Sequence, residues 1–263
     1  LTNKEYVKKI KQCGTDLVIF SLNSFNEKKS KEYYKINVIN KKKKALENLK
    51  QFQIPTYIFN MIKDSKKNEI FDFMEYARSN HDFIKIISFN PVWDIGKTNK
   101  YDKKITTGYI LDQLISNSNL KKEDFFISTK FIHAFSQSIS KLNNHAACEL
   151  KCYVFFYNNN LIPMTQLLDL KKITNYLEKS NSTNFLFSKL YYGLCIFNSV
   201  LGSCIKNKIT RKMLFEKLKE KISYFKKSKF SLSGITCIIV GSFPNAENID
   251  LEFSKSCNLY SDI

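Results

Sequence analysis

Arginine is nearly missing from this chain of 263 residues: Arg78 and Arg211 are the only two, while lysine and arginine together number 42 against 24 acidic residues. The resulting formal charge of +18 suits nucleic acid or an anionic surface on its face. Bidentate recognition of phosphates and bases, however, uses the guanidinium fork rather than a lysine point charge. The lysine excess, with abundant Asn and Ile, reads as the composition of an AT-rich genome, and nucleic acid is disfavoured as a partner. Glycine (7) and proline (4) are also scarce, and no internal repeat or long low-complexity linker is present.

An uninterrupted apolar run long enough to cross a membrane is lacking as well. The most apolar window, Phe185 to Ile205, contains Lys189 and several polar residues, and reads as a buried helix instead of a span. The amino end carries no signal-peptide pattern. Seven cysteines are spread over the chain, an odd number that fits reduced thiols or metal ligands better than a secreted disulfide scaffold. A cytoplasmic location follows, with a membrane surface kept open as a contact. What is present is a globular composition, 43% hydrophobic and 14% aromatic, in a chain long enough for one or two domains.

Along the chain, residues 1–14 carry a helical pattern closed by Gly14. Asp16 to Leu22 is a short apolar strand, and Lys31 to Gln51 reads as one helix with Lys41–Lys44 on its wet side. After Pro55 comes a strand, Thr56 to Ile62. Asp64 and Ser65 offer a cap for a helix to Ser79 with Ile70, Phe73, Met74 and Ala77 inward, and a third strand spans Phe83 to Phe89. Strands alternating with helices over short connections predict a parallel sheet of βαβ units. Ligands in such sheets sit at the carboxyl ends of the strands, which points to Ser21, Asn23, Asn60, Asn90 and Pro91.

Beyond an irregular loop over 92–105, Thr106 and Thr107 start a helix to about Ser116. Residues 118–144 read as loop with a helical piece near His133 to Leu142. Tyr153–Tyr157 and Leu161–Pro163 flank Asn158–Asn160 as a β-hairpin, since Asn tolerates positive φ. A helix follows from Asp169, an amphipathic one over Thr210–Phe225, a buried strand over Gly234–Gly241, and a short helix over Asp250–Cys257. His145, Cys148 and Cys152 crowd in front of the hairpin, where thiolate and imidazole ligands could grip a metal or iron–sulfur cluster.

Three stretches share a family pattern. Ser88-Phe89-Asn90-Pro91-Val92 with Gly96-Lys97, the set His145, Cys148, Tyr153, Phe155, Ile162-Pro163-Met164-Thr165 and Asp169, and residues 248–257 (NIDLEFSKSC) resemble radical S-adenosylmethionine (SAM) enzymes of the archaeal tetraether lipid synthase and pterin methyltransferase type. The resemblance implies an α/β fold, a partial parallel (β/α) barrel over residues 1–117 with its first strands missing, and a C-terminal α+β extension over 118–263. It implies SAM and a four-iron four-sulfur (4Fe-4S) cluster as cofactors, the cluster reducing SAM to a radical that abstracts hydrogen from an unactivated carbon. C–C bond formation or methylation of a small molecule or lipid would follow, fed by an electron donor protein. Ser21, Asn23, Asn60, Asn90 and Pro91 would line the SAM cleft. Cys148 and Cys257, with Cys152 as a further candidate, would hold an auxiliary cluster. No CxxxCxxC loop occurs in the chain, so the resemblance places that loop upstream of Leu1 in a longer protein, or makes this a divergent member. The alternative reading is a basic α/β binding or scaffold domain that keeps the fold without the chemistry.

Overall fold

The computed structural model describes residues 1–62, 68–91, 105–139, 149–157, 160–183, 185–207, 211–212 and 235–241. The expected Asp64/Ser65 cap, the loop over 92–104, and the helices over Thr210–Phe225 and Asp250–Cys257 lie mostly or wholly outside them, as do His145, Cys148 and Cys257.

Local capping sets the first elements. Helix α1 (Lys4–Gln12) begins where Asn3 Oδ1 accepts the Tyr6 N–H at 3.1 Å, and the chain leaves it through Gly14 at φ +82°, the left-handed position glycine occupies without a Cβ clash. Strand β1 (Val18–Ser21) follows. The single helix expected over 31–51 is two: α2 (Glu27–Tyr34) and α3 (Ile39–Gln51). Lys35 takes φ 61° after α2, and this left-handed residue ends the helical run. The apolar periodicity of the segment did not register that break. Strand β2 (Thr56–Ile62), α4 (Asn68–Ser79) and β3 (Ile84–Pro91) complete the expected alternation.

Helix α5 (Thr107–Ser116) is capped by Thr106 Oγ1, which accepts the Tyr109 N–H at 3.1 Å. The next segment corrects the sequence reading. The helical piece expected near His133 to Leu142 is the end of a longer helix: α6 (Lys122–Ile139), 18 residues long, also takes in residues expected as loop, because Asp124 closes its first turn on the Lys121 N–H at 2.8 Å and Phe125, Ser128 and Ala134 are buried. The hairpin appears as β4 (Glu149–Tyr157) and β5 (Asn160–Pro163), antiparallel with Phe155 opposite Ile162. Helices α7 (Met164–Leu167), α8 (Leu170–Asn181) and α9 (Leu186–Lys206) follow, and then β6 (Ile235–Gly241).

Six strands share one sheet in the order β1-β2-β3-β6-β4-β5. The first four are parallel, and β4 runs antiparallel to β6 with Tyr153 opposite Cys237. Among the described strands β1 and β5 are edges, so the sheet is open and mixed. Strands from both ends of the chain therefore share one hydrogen-bonded surface.

That sheet has two unlike faces. The core face carries Ile58, Ile62, Ile87, Phe89, Ile238, Val240, Leu150, Cys152 and Val154, which join Leu46, Leu49, Ile70, Phe73, Ile110, Leu114 and Phe125 from the helices in one buried cluster. Each such side chain contributes about 1.5–3 kcal/mol of burial free energy. The far face carries the alternate residues, and none of them belongs to a core cluster among the described residues. A smaller core, Ala134, Leu170, Ile173 and Leu177, knits α6, α8 and α9 into a helical lobe.

Candidate active site

The carboxyl ends of β1, β2, β3 and β6 lie along one end of the sheet, and strand alternation decides which side chains there point to the far face. In the β2–β3 register, Phe59 faces Ser88 and Met61 faces Asn90, while Asn60 faces Phe89 and Ile62 faces Pro91. Phe89 is fully buried in the main core. Asn90 and Ser88 thus lie on the far face, beside the partly exposed Tyr57, Phe59 and Met61. Asn60 and Pro91 share the core side.

The far face holds a hydrogen-bonded relay of uncharged groups. Tyr57 donates its hydroxyl to Ser88 Oγ at 3.0 Å, and burial pushes the Tyr57 hydroxyl above its ordinary value. Asn90 Nδ2 donates to Ser88 Oγ at 3.0 Å and to the Asn60 carbonyl at 3.1 Å. Both amide protons are thereby engaged, and Oδ1 is the atom Asn90 can offer a ligand. That oxygen lies against Gly241 at the end of β6, in the space a Cβ there would occupy. Glycine at 241 is what allows the amide to sit across the strand. Thr107 Oγ1 at the start of α5 donates to the Gly241 carbonyl at 3.3 Å and ties α5 to the same rim.

At the β1 end the groups are structural in their contacts. Asn23 Oδ1 accepts the Met61 N–H at 3.1 Å, extending the β1–β2 ladder past its last backbone bond, and the Asn23 N–H donates to the Tyr34 hydroxyl at 3.2 Å. Ser21 is exposed on the far face, and its carbonyl accepts a hydrogen bond from Lys42 Nζ. The same ammonium sits 3.9 Å from the Tyr34 ring centroid, a cation–π contact that holds a positive charge at the mouth of β1. Sequence reading missed Tyr57, Ser88, Lys42 and Gly241. The signal available was the alternation itself, counted back from Asn90 along β3 and across to β2.

Asn60 is fully buried, and neither atom of its side-chain amide has a partner among the described residues. An orphaned buried amide costs about 1–3 kcal/mol, so its presence on the core side marks a polar position inside an apolar layer.

The cysteines fall apart in space. Cys152 faces the core, 0% exposed, and desolvation there drives its thiol far above the ordinary value, with the nearby Asp124 carboxylate adding to the rise. Cys237 lies on the opposite face of the sheet, against Tyr153, its thiol pushed up to about 12 by burial. A ligand thiolate needs the reverse environment, and no group of three His, Cys, Asp or Glu side chains able to hold a metal occurs among the described residues. Among the described residues Cys152 packs as a small apolar group in the core. His81 is occupied too, its Nδ1 2.9 Å from the Arg78 carbonyl oxygen and its ring 5.6 Å from that of Phe156.

Compared with known proteins, the chain is 25% identical over 189 residues to the 7,8-dihydro-6-hydroxymethylpterin dimethyltransferase of Methanocaldococcus jannaschii, a match covering 65% of this chain and 37% of that protein. The chain thus spans little more than a third of the length of the curated relative it matches. No family model matches the chain. The relationship is distant, and identity at this level fixes neither an activity nor a substrate.

Proposed function

We propose that this chain forms the SAM- and substrate-facing part of a radical SAM-type methyltransferase acting on a small ring-bearing molecule. The observation that carries this reading is the far face of the sheet, where neutral hydrogen-bonding groups at the strand ends stand beside a row of partly exposed aromatic and thioether side chains. Asn90 Oδ1 and the Ser88 hydroxyl offer hydrogen bonds to an amine or ribose hydroxyl. Tyr57 and Phe59 offer flat apolar surface on which an adenine or pterin ring stacks. Ser21 and Asn23 bound the cleft at β1, and Asn60 and Pro91 support it from the core side. SAM, when bound, supplies the methyl group and the radical chemistry of its class. The similarity to a pterin dimethyltransferase supports the same substrate class.

The described residues do not fit a 4Fe-4S cluster, because Cys152 and Cys237 face opposite sides of the sheet and no ligand set surrounds either. No step through a cluster is therefore derived. Cys148 and Cys257 remain the proposed ligand pair.

The test is calorimetric titration of the chain with SAM and with S-adenosylhomocysteine. Saturable binding of both is expected, weakened about 10-fold or more in Asn90→Ala, the worth of one hydrogen bond and its partner's desolvation. A folded chain that binds neither compound would sink the reading and leave the non-catalytic α/β scaffold. That second reading draws on one observation, the core packing of Cys152 in place of a ligand role.

A further inference from the structure

We propose that α9 is the contact through which two copies of this chain associate about a two-fold axis. The window Phe185–Ile205 is helical as expected but is not buried as a whole. One side packs on the helical lobe through Ile196 and Val200, with Cys204 7% exposed. The other side presents Phe187, Leu190, Leu194, Phe197 and Leu201, between 39% and 85% exposed. A helix that is apolar on two sides is built to be covered on both, and no described helix is long and apolar enough to cross a membrane.

Three features favour a second copy as the cover. The exposed residues step by three and four along the helix, the spacing of a seam in which knobs of one helix enter holes of another. Gly193 stands between Leu190 and Phe197 on that side with nothing within 4 Å of a Cβ placed there, which leaves a socket for a large side chain of the facing helix. At about 150–250 Å² for a whole aromatic side chain, these five residues expose on the order of 600 Å², and Leu186, Tyr191 and Ile205 at the margins of the stripe bring the exposed apolar area along α9 to on the order of 1,000 Å². That exceeds the largest patch of a typical monomer, about 300–600 Å², and meets the roughly 800 Å² per partner of a standard stable interface. A lipid surface fits less well. An interfacial helix keeps a lysine-rich polar side in water, whereas α9 has two lysines in 21 residues and its other side is packed.

Light scattering on the size-separated full chain at micromolar concentration tests this. A dimer is expected, and it tightens as salt rises, because a +18 chain repels its copy and salt screens that repulsion. Leu194→Glu and Phe197→Glu, both at exposed positions that leave the fold intact, are each expected to weaken association about 100-fold or more by placing an unpaired charge in the seam. Phe71→Glu, an exposed aromatic on α4 that is 46% exposed, is expected to leave it unchanged. A chain that stays monomeric at every concentration and salt overturns the proposal, whether the stripe is then covered by other residues of the chain or by anionic vesicles in a flotation assay. A dimer that survives both seam variants overturns it equally, by placing the contact elsewhere.

Discussion

The two faces of the sheet are built on the same strands and obey different rules. On the core face Ile58, Ile87, Phe89, Ile238 and Val240 are 0% exposed and interlock with four helices. On the far face the residues one step along the same strands, Tyr57, Phe59, Ser88, Asn90 and Cys237, are aromatic, hydroxylic, amide or thiol. The main apolar core lies on one face, and these hydroxyl, amide and thiol groups on the other. A strand can serve both needs because its side-chain period is two.

The sharpest way to break this comparison is a matched pair of truncations. Phe89→Ala on the core face is expected to cost about 3–5 kcal/mol, the sum of lost burial and a cavity that close packing cannot collapse. Phe59→Ala, on the neighbouring strand but the far face, is expected to cost under about 1.5 kcal/mol, since partial exposure leaves little burial to lose. Urea unfolding of the two variants measures both. Equal costs would mean that the far face is packed as tightly as the core.

Gly241 offers the next largest effect, and it tests the far face directly. Gly241→Ala puts a methyl group where Asn90 Oδ1 lies, so the amide must leave and its bonds to Ser88 and the Asn60 carbonyl break. The expected loss is about 2–3 kcal/mol, from two hydrogen bonds and a buried carbonyl left short of a donor. In the Asn90→Ala background the same Gly241→Ala change should cost well under about 1 kcal/mol, because the obstructing atom is gone; the coupling is read from a double-mutant cycle. Additive costs would show that the two residues do not touch.

How far the sequence could be read divides along these faces. The parallel alternation of β1, β2 and β3 was legible, because Val-Ile-Phe, Tyr-Ile-Phe and Ile-Ile-Ser-Phe runs between helical stripes leave few options. The hairpin was legible from its Asn turn. Helix α6 was legible only at its end, near His133, since Phe125, Ser128 and Ala134 make a sparse inward stripe and its Ser and Thr residues also suit loop. The exposure of α9 was hidden for the opposite reason: an apolar window announces burial without saying how many sides have partners. The strand-end rule named Ser21, Asn23, Asn60, Asn90 and Pro91, but it names an end and not a face. Only the register, Met61 against Asn90 and Asn60 against Phe89, separates the amide on the far face from the one on the core side.

That separation gives the smallest expected stability change and the finest test of the comparison. Asn60 and Asn90 are the same residue type at adjoining strand ends, both under 5% exposed, yet Asn90 has partners for its amide nitrogen while Asn60 has none for its side chain among the described residues. Replacing an unpartnered buried amide by an apolar group of similar shape removes a desolvation cost and breaks no bond. Asn60→Leu is therefore expected to leave stability unchanged or raise it by up to about 1–2 kcal/mol, and to leave SAM affinity where it was. Thermal unfolding reads the first and calorimetry the second. If instead the variant folds and no longer binds SAM, the cleft extends through the sheet end to the core side, and the division of labour between the two faces fails at its carboxyl rim.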